Sequence, residues 1–197
     1  MKKSILIPVL ALVLCAGLLF GITMATSGMY RDNLHHWHLQ DMKTLLPGSE
    51  NFVVEPYSGE DANILSVHKG ETGFVIETVT RGYAGDIVML IGVSHDGKVT
   101  GLTIRDMQET PGLGMSAMWD EQFLAQFLNT SGGVAIGQPG EDAFSGATGS
   151  DTTETDTYVD GISGATVTSK AIARCVNSAV SYVTGADIDS GATSWGG

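Results

Sequence analysis

A short run of small and hydroxyl-bearing residues stands directly before the last long apolar segment of the chain. The side chains of Ser163–Ala165 have little bulk, so the backbone there can approach a ligand closely. Hydroxyl groups follow on Thr166, Thr168 and Ser169. If a helix begins here, its unpaired backbone N–H groups and its dipole favour an anion such as a phosphate. This run is therefore a candidate phosphate site.

The segment after this run has the periodicity of a helix. From Ala171 to Val183 the apolar residues recur mostly three or four positions apart, which places them on one face of an α-helix packed on a core. These apolar residues are Ile172, Val176, Ala179, Val180 and Val183. The hydroxyl-bearing run is thus predicted to lie around the N-cap of a helix.

The same residues carry a family resemblance. The string Asp160-x-x-Ser-Gly-Ala-Thr166 resembles the flavinylation motif of the FMN-binding domain family, found in the G subunit of the Rnf complex and the C subunit of the Na⁺-translocating NADH:quinone reductase. In that family a dedicated flavin transferase esterifies the last Thr of the motif, through its hydroxyl, to the phosphate of FMN. The resemblance implies covalent FMN at Thr166. It also implies cofactor contacts at Ser163, Gly164, Ala165 and Thr168.

The motif occurs three times in the chain. Besides the copy ending at Thr166, the strings Asp142–Thr148 and Asp187–Thr193 fit the same pattern. A polar acidic run without apolar period follows Thr148, and Thr193 is four residues from the last residue of the sequence. Only the middle copy leads into a helical pattern, so Thr166 is predicted to be the single attachment point.

A second string of the chain resembles another signature of the family. Glu109-Thr-Pro-Gly-Leu-Gly114 matches it almost letter for letter, and Gly82–Gly85 resembles a Gly-Tyr-x-Gly element. The resemblance implies that the Glu109–Gly114 loop lies against the isoalloxazine ring. Gly82–Gly85 fits either a ligand-facing role or a simple glycine-rich turn. Family members often carry His two residues before the Glu, where this chain has Met107. The further predicted contacts are Tyr83, Glu109, Thr110, Gly112, Leu113 and Gly114.

The region from Ile64 to Met107 has strand patterns rather than helical ones. Its β-rich runs are Ile64–Lys69, Gly73–Thr80, Ile87–Ser94 and Lys98–Arg105. Asp96-Gly97 between the last two is a hairpin turn signal. The predicted class is therefore α+β: an antiparallel-sheet FMN-binding domain with flanking helices, preceded by a transmembrane helix.

Two segments after the sheet are less regular. The pattern of residues 115–128 predicts one helix, with Ser116 as its N-cap. For Trp119 and Phe123, packing in the core is favoured over contact with the flavin. Asn129–Tyr158 is rich in Gly, Ser, Thr and acidic residues, which predicts a mobile acidic insertion with a short edge strand at Val134–Ile136. The tail 185–197 has few apolar residues and is predicted to be disordered.

The N-terminal residues predict a membrane anchor. Lys2 and Lys3 precede an apolar run, Ile5–Thr23, that as a helix would be about 30 Å long, enough to cross a bilayer. The run is longer than the apolar core of most signal peptides, so a retained span is favoured over a cleaved one. With the lysines inside, the rest of the chain lies outside the cytoplasm. The predicted divisions are 1–30 (cytoplasmic N-terminus and anchor), 31–48 (juxtamembrane helix), 49–184 (extracytoplasmic FMN-binding domain, with the acidic insertion at 129–159) and 185–197 (tail).

Composition excludes several other functions. A net charge of −12 disfavours nucleic-acid binding, which needs a basic face. Two cysteines cannot build a disulfide framework, and both Cys15 and Cys175 fit small apolar positions. His35, His36 and His38 lack a second ligand cluster, so solvated interfacial residues are favoured over a metal site. The sequence shows no Cys/His ligand set, Ser-His-Asp order, Walker loop or dinucleotide glycine motif. The flavin that the resemblance implies would therefore carry all redox chemistry, with no complete active site on this chain.

The resemblance implies a function for the whole chain. It implies the covalent-FMN subunit of an Rnf-type complex in the cell membrane, which passes electrons between ferredoxin and NAD while moving Na⁺ or H⁺. The implied partners are the other subunits and a flavin transferase. Three alternatives remain open: a C-type subunit of the Na⁺-translocating NADH:quinone reductase, a tethered flavin domain serving an extracytoplasmic reductase, and an anchored acidic binding domain without a cofactor.

Overall fold

Five strands form one antiparallel sheet in which strand order follows chain order. The computed structural model describes residue 17, residues 39–137 and residues 155–186. The strands are β1 (Val53–Glu55), β2 (Ile64–Lys69), β3 (Gly73–Arg81), β4 (Asp86–Ser94) and β5 (Val99–Met107). The predicted antiparallel sheet is confirmed, with β2–β5 within two residues of the expected ends. The sequence pattern did not predict the edge strand β1.

The central hairpin of the sheet is paired without interruption. Its register runs from Gly73 opposite Ser94 to Arg81 opposite Asp86. Gly82–Gly85 closes this hairpin, with the Gly82 N–H donating to the Gly85 carbonyl at 2.8 Å. The turn around Asp96-Gly97 joins β4 to β5, as predicted. Tyr83 of this turn lines the cavity described below.

A long helix covers one face of the sheet. Helix α3 (Thr166–Thr184) begins five residues before the apolar period starts and confirms the predicted helix. Its buried apolar side chains Ile172, Val176, Ala179 and Val180 join the core formed by the strands. Cys175 is buried in the same core, and burial raises the pKa of its thiol. The main core therefore lies between α3 and the sheet.

Residues 42–46 cover the opposite face of the sheet. Residues 39–45 are helical and are called α1. Met42, Leu45 and Leu46 pack there on Val75 and Leu90. Thr100 donates its hydroxyl to the Leu45 carbonyl at 2.6 Å. This second, smaller core holds residues 42–46 against the sheet.

The segment 115–128 differs from the single predicted helix. It forms a 3₁₀ helix (Gly114–Met118) and a short α2 (Glu121–Ala125). Asp120 is the N-cap of α2 and accepts from the Phe123 N–H at 2.9 Å, so the prediction of Ser116 as N-cap is wrong. Ser116 instead donates its hydroxyl to the Leu113 carbonyl. Phe123 is buried as predicted, but Trp119 is 74% exposed because the chain turns between the two helices.

A second, two-stranded sheet occupies part of the predicted insertion. Strands β6 (Gly133–Ile136) and β7 (Thr155–Val159) pair in parallel. Their residues Val134, Ile136 and Val159 belong to the main core. The prediction of an insertion without further regular structure is therefore wrong for residues 155–158, which belong to β7. The strand at Val134–Ile136 is confirmed, and residues 138–154 lie outside the described chain.

The predicted anchor and both outer motif copies lie outside the described residues. Apart from residue 17, the apolar run 5–23 is not described, and neither are His35, His36 and His38. In the part of the chain that is described, no helix combines the length and the apolarity needed to cross a membrane. Of the predicted juxtamembrane helix, 31–48, the structure describes residues 39–48. Of the predicted tail, 185–197, it describes residues 185 and 186. Gly185, in the αL conformation, is the C-cap of α3.

Candidate functional site

Three segments that are far apart in sequence meet around one cavity. Its volume is about 550 Å³, within the range of about 300–1,000 Å³ that is usual for small-molecule sites. The segments are the Gly82–Gly85 turn, the loop from Glu109 to Gly114 and the start of α3. The lining residues are Tyr83, Glu109, Thr110, Leu113, Gly114, Gly164, Ala165, Thr166, Val167 and Thr168.

The start of α3 forms one wall of the cavity. The N-cap is Ala165, whose methyl side chain cannot accept a hydrogen bond, and Thr166 is the first helical residue. By contrast, α2 is capped by the carboxylate of Asp120. The first amides of a helix have no partner within the helix, and here none of them is capped by the N-cap side chain. The Thr166 side chain is exposed beside them at the cavity.

The turn before α3 is held by one buried hydroxyl. Ser169 is fully buried, accepts from the Ile162 N–H at 3.0 Å and donates to the Ala165 carbonyl at 3.0 Å. Gly164 has φ of +77°, a left-handed conformation that glycine adopts without steric cost. Upstream, the Asp160 N–H donates to the Gln126 side chain at 3.0 Å. These bonds fix the position from which Thr166 faces the cavity.

The loop after β5 forms the second wall. The Thr110 carbonyl accepts from the N–H groups of Leu113 and Met115, at 3.1 and 3.2 Å, so the loop closes on itself and enters the 3₁₀ helix. Leu113 is 46% exposed and lies at the cavity. Met107, where the family often has His, is buried in the core. The loop therefore presents an apolar side chain and backbone to a ligand.

The hairpin turn forms the third wall. Tyr83 at its tip is 71% exposed and lines the cavity. The interpretation of Gly82–Gly85 as a glycine-rich turn is therefore confirmed, and its ligand-facing role stays a prediction. Tyr83 offers a large, exposed aromatic surface beside the other two walls.

Glu109 is buried at the centre of these walls. It is 5% exposed, and its Oε1 accepts from the Ala84 N–H at 3.2 Å. Its Oε2 accepts from the Thr168 hydroxyl at 3.1 Å. The hydroxyl of Thr168, predicted to serve the cofactor, is therefore already bonded to a carboxylate of the protein.

Most of the residues predicted for the site line the cavity. Among these predicted residues, all of which the structure describes, only Ser163 and Gly112 are not part of the lining. Val167 lines it and was missed, although its position directly after Thr166 at a helix start was a usable signal. The described residues contain no group of three or more His, Cys, Asp or Glu side chains arranged to hold a metal.

Comparison with known proteins identifies the family. The model of the FMN-binding domain matches residues 82–181, a stretch that contains all three cavity walls. The chain belongs to the FMN-binding domain family. Its members bind FMN, so the cavity common to the three matched segments is the candidate site for that cofactor.

Two curated relatives and one solved structure are similar to this chain. The G subunit of the Na⁺-translocating ferredoxin:NAD⁺ oxidoreductase complex of Acetobacterium woodii is 34% identical over 59% of this chain and 54% of its own length. The G subunit of the ion-translocating oxidoreductase complex of Methanosarcina acetivorans is 32% identical over 72% of each chain. The matched stretch thus spans about half of the first relative. The crystal structure of the C subunit of the Na⁺-translocating NADH-quinone reductase from Parabacteroides distasonis is 25% identical, with a TM-score of 0.44 over 59% of each chain.

Proposed function

We propose that this chain is an electron-transfer subunit that carries FMN bound covalently through Thr166. The single observation that supports this most strongly is the exposed Thr166 side chain at the first position of α3, beside a cavity walled by all three matched segments. The chain would serve a membrane-bound, Rnf-type complex that exchanges electrons between ferredoxin and NAD and moves Na⁺ or H⁺. Relatives named as the G subunits of such complexes support this assignment.

The residues around the cavity suit the parts of FMN. A phosphodiester at Thr166 keeps one negative charge, and the N-terminus of α3 stabilises that charge by about 0.3–2 kcal/mol. The remaining contacts would come from the predicted residues, with Leu113, Tyr83 and also Val167 offering apolar surface to the ring. Gly164 and Ala165 would let the backbone come close to the phosphate. When bound, the isoalloxazine supplies one- and two-electron chemistry, while the protein sets its position and surroundings.

Attachment requires an activated phosphate. A phosphate monoester is a poor electrophile, so the donor would be a flavin whose phosphate is part of a pyrophosphate, such as flavin adenine dinucleotide. The Thr166 oxygen forms the new P–O bond, the P–O–P bond breaks, and the nucleoside monophosphate leaves with the electron pair. The hydroxyl proton goes to a base of the flavin transferase. No oxidation or reduction occurs in this step.

The proposed setting follows from the N-terminal prediction. The span 5–23 would hold residues 49–184 on the extracytoplasmic side of the cell membrane, next to the other subunits of the complex. A flavin outside the cytoplasm could not be replaced from the intracellular pool if it dissociated. Covalent attachment would prevent that loss.

The test is the mass of the intact chain after expression with a flavin transferase. We expect the wild type to gain one FMN less one water and to fluoresce in a denaturing gel. Thr166→Ala should lose both signals, while Thr148→Ala and Thr193→Ala, in the other two motif copies, should keep them. An adduct that persists in Thr166→Ala would refute the attachment site. A wild type without any adduct would favour an anchored acidic domain that binds no covalent flavin.

A further inference from the structure

The carboxylate of Glu109 joins all three walls of the cavity. It is held from two sides by donors that are 25 and 59 residues away in sequence, the Ala84 N–H and the Thr168 hydroxyl. Leaving the buried Thr168 hydroxyl without its acceptor is unfavourable, since a buried polar group that lacks a partner destabilises the fold. The loop that begins at Glu109 is therefore tied both to the hairpin turn and to the first turn of α3.

Two glycines pack directly on this carboxylate. A Cβ atom built on Gly82 would collide with Oε1 of Glu109. A Cβ atom on Gly114 would collide with the Thr168 hydroxyl and would lie 2.8 Å from Oε2 of Glu109. A Cβ atom at either position would have to displace the Glu109 carboxylate or the Thr168 hydroxyl, so the backbones of the turn and of the loop lie close to the carboxylate.

We propose that Glu109 is a positioning residue: it orients the cavity walls and the first turn of α3, and so fixes the direction in which Thr166 faces a flavin. The inference rests on the proposed function, because it concerns the attachment and seating of FMN at that site. Glu109 acts through Thr168 and Ala84. We call the two hydrogen bonds to the Glu109 carboxylate, from the Ala84 N–H and the Thr168 hydroxyl, the clamp. The hydroxyl of Thr168, two residues after Thr166, thus donates to Glu109 rather than to the phosphate.

The clamp predicts a specific pattern among variants. Glu109→Ala and Thr168→Val should each slow transfer of FMN to Thr166 about tenfold, since each removes one or more buried hydrogen bonds that orient the acceptor turn. Glu109→Gln keeps the size and one acceptor oxygen of the side chain, and the Thr168 hydroxyl can accept from its amide. It should therefore restore most of the rate. Glu60→Gln, an exposed carboxylate in the loop before β2, is the matched control and should match the wild type.

The transfer rate of the double variant Glu109→Ala/Thr168→Val shows whether Glu109 and Thr168 act through one shared contact or independently. If both residues act through one contact, the double variant should be about as slow as Glu109→Ala alone, whereas independent effects would multiply to about a hundredfold. The same non-additivity is expected in the unfolding of the chain before any flavin is added. That second measurement does not depend on attachment.

Visible circular dichroism of the attached flavin distinguishes positioning from general destabilisation. Spectra are recorded on fully modified protein at a temperature where far-ultraviolet circular dichroism shows each variant folded. We expect Glu109→Ala to change the flavin bands and Glu109→Gln to resemble the wild type. If Glu109→Ala does not fold, Thr168→Val and Glu109→Gln carry the comparison.

The outcomes distinguish the two proposals. A wild type that never takes up FMN overturns the proposed function. A wild type that takes up FMN, together with Glu109→Ala and Thr168→Val variants that match its transfer rate and its flavin spectrum, overturns the positioning role alone.

Discussion

Helix α3 differs between its first turn and the rest of its length. Of the first four residues, Thr168 and Ser169 are buried and hydrogen-bonded to loops, while Thr166 and Val167 are exposed at the cavity. From Ile172 onward the buried side chains are mostly apolar and pack on the sheet. One helix thus has a polar end that shapes the site and an apolar part that holds it to the domain.

The apolar contacts and the hydrogen bonds of α3 also differ in the free energy that each contributes to stability. A buried Ile or Val contributes about 1.5–3 kcal/mol through removal of apolar surface from water, whereas one hydrogen bond contributes about 0.5–1.5 kcal/mol net. Residues of the first turn can therefore change without unfolding the domain. Substitutions in the apolar part should lower the free energy of unfolding more, although these residues lie away from the cavity.

The largest expected effect is at Ile172. Its side chain is fully buried between α3 and the sheet, so Ile172→Ala should lower the free energy of unfolding by about 2–5 kcal/mol, through lost burial and a residual cavity. Urea denaturation of the full chain measures this loss. At a temperature where the variant is folded, its attachment of FMN should proceed at the wild-type rate. A slow attachment in folded Ile172→Ala would show that the two parts of α3 are not separable.

The next effect is at Asn177, which with Ser178 is one of two buried polar residues within the apolar part. Its side chain accepts from the Val134 N–H at 2.9 Å and donates to the Val134 carbonyl at 3.1 Å, which joins α3 to β6. Asn177→Ala leaves both groups buried without partners and should lower the free energy of unfolding by about 1–3 kcal/mol.

Hydrogen exchange at the Val134 amide reports this bond directly. In Asn177→Ala, exchange at the Val134 amide should accelerate more than exchange at amides of the central strands, because β6 opens locally. Equal acceleration at all amides would mean that Asn177 stabilises the domain without specifically holding β6. Asn177→Asp keeps one acceptor for the N–H but faces the carbonyl with a second oxygen, so it should recover only part of the protection.

The elements of the fold that local sequence patterns specify could be predicted, whereas those that depend on contacts between distant residues could not. Strands β2–β5 and the apolar part of α3 have local period and turn signals, and both were predicted within a few residues. The break between the 3₁₀ helix and α2 was missed, because the pattern counted Trp119 as core whereas it is exposed. The pairing of β6 with β7 joins segments about 20 residues apart, and no local signal specifies such a partner.

The candidate site could likewise be predicted only as far as local motifs indicate it. Short motifs in the sequence indicate Thr166, the Glu109 loop and the Tyr83 turn, and the folded chain brings them to one cavity. What the motifs could not show was that Thr168 bonds to Glu109, because that contact depends on how the three segments close together. Residue types indicated which groups belong to the site, and packing decided which of them face a ligand.

A substitution of Ser169 tests the role of the first, polar turn of α3. Ser169→Ala removes the bonds to Ile162 and Ala165 and leaves the Ile162 N–H without its acceptor, so the free energy of unfolding should fall by about 1–2 kcal/mol. Because this hydroxyl holds the turn before Thr166, attachment of FMN should also slow. Rates by intact mass and stability by urea denaturation are measured on the same preparation.

The matched control for Ser169 is Ser178 on the same helix. Its hydroxyl is buried and accepts from the Asn63 side chain at 3.2 Å, away from the cavity-lining residues. Ser178→Ala should lower stability to a similar or smaller extent and leave the attachment rate unchanged. If both variants slow attachment equally, the slowing reflects stability, and the first turn has no special role.

The smallest expected effect is at the C-terminal end of α3. Gly185 ends the helix with φ of +67°, and its N–H donates to the Ser181 carbonyl at 2.8 Å. A Cβ is disfavoured in this conformation, so Gly185→Ala should lower the free energy of unfolding by about 1 kcal/mol. Gly185→Asn should lower it less, because Asn tolerates the left-handed region. Thermal unfolding of both variants measures the difference, and intact mass should show wild-type attachment of FMN. A slower attachment in Gly185→Ala would mean that strain at one end of α3 reaches Thr166 at the other, against the separation of the two ends.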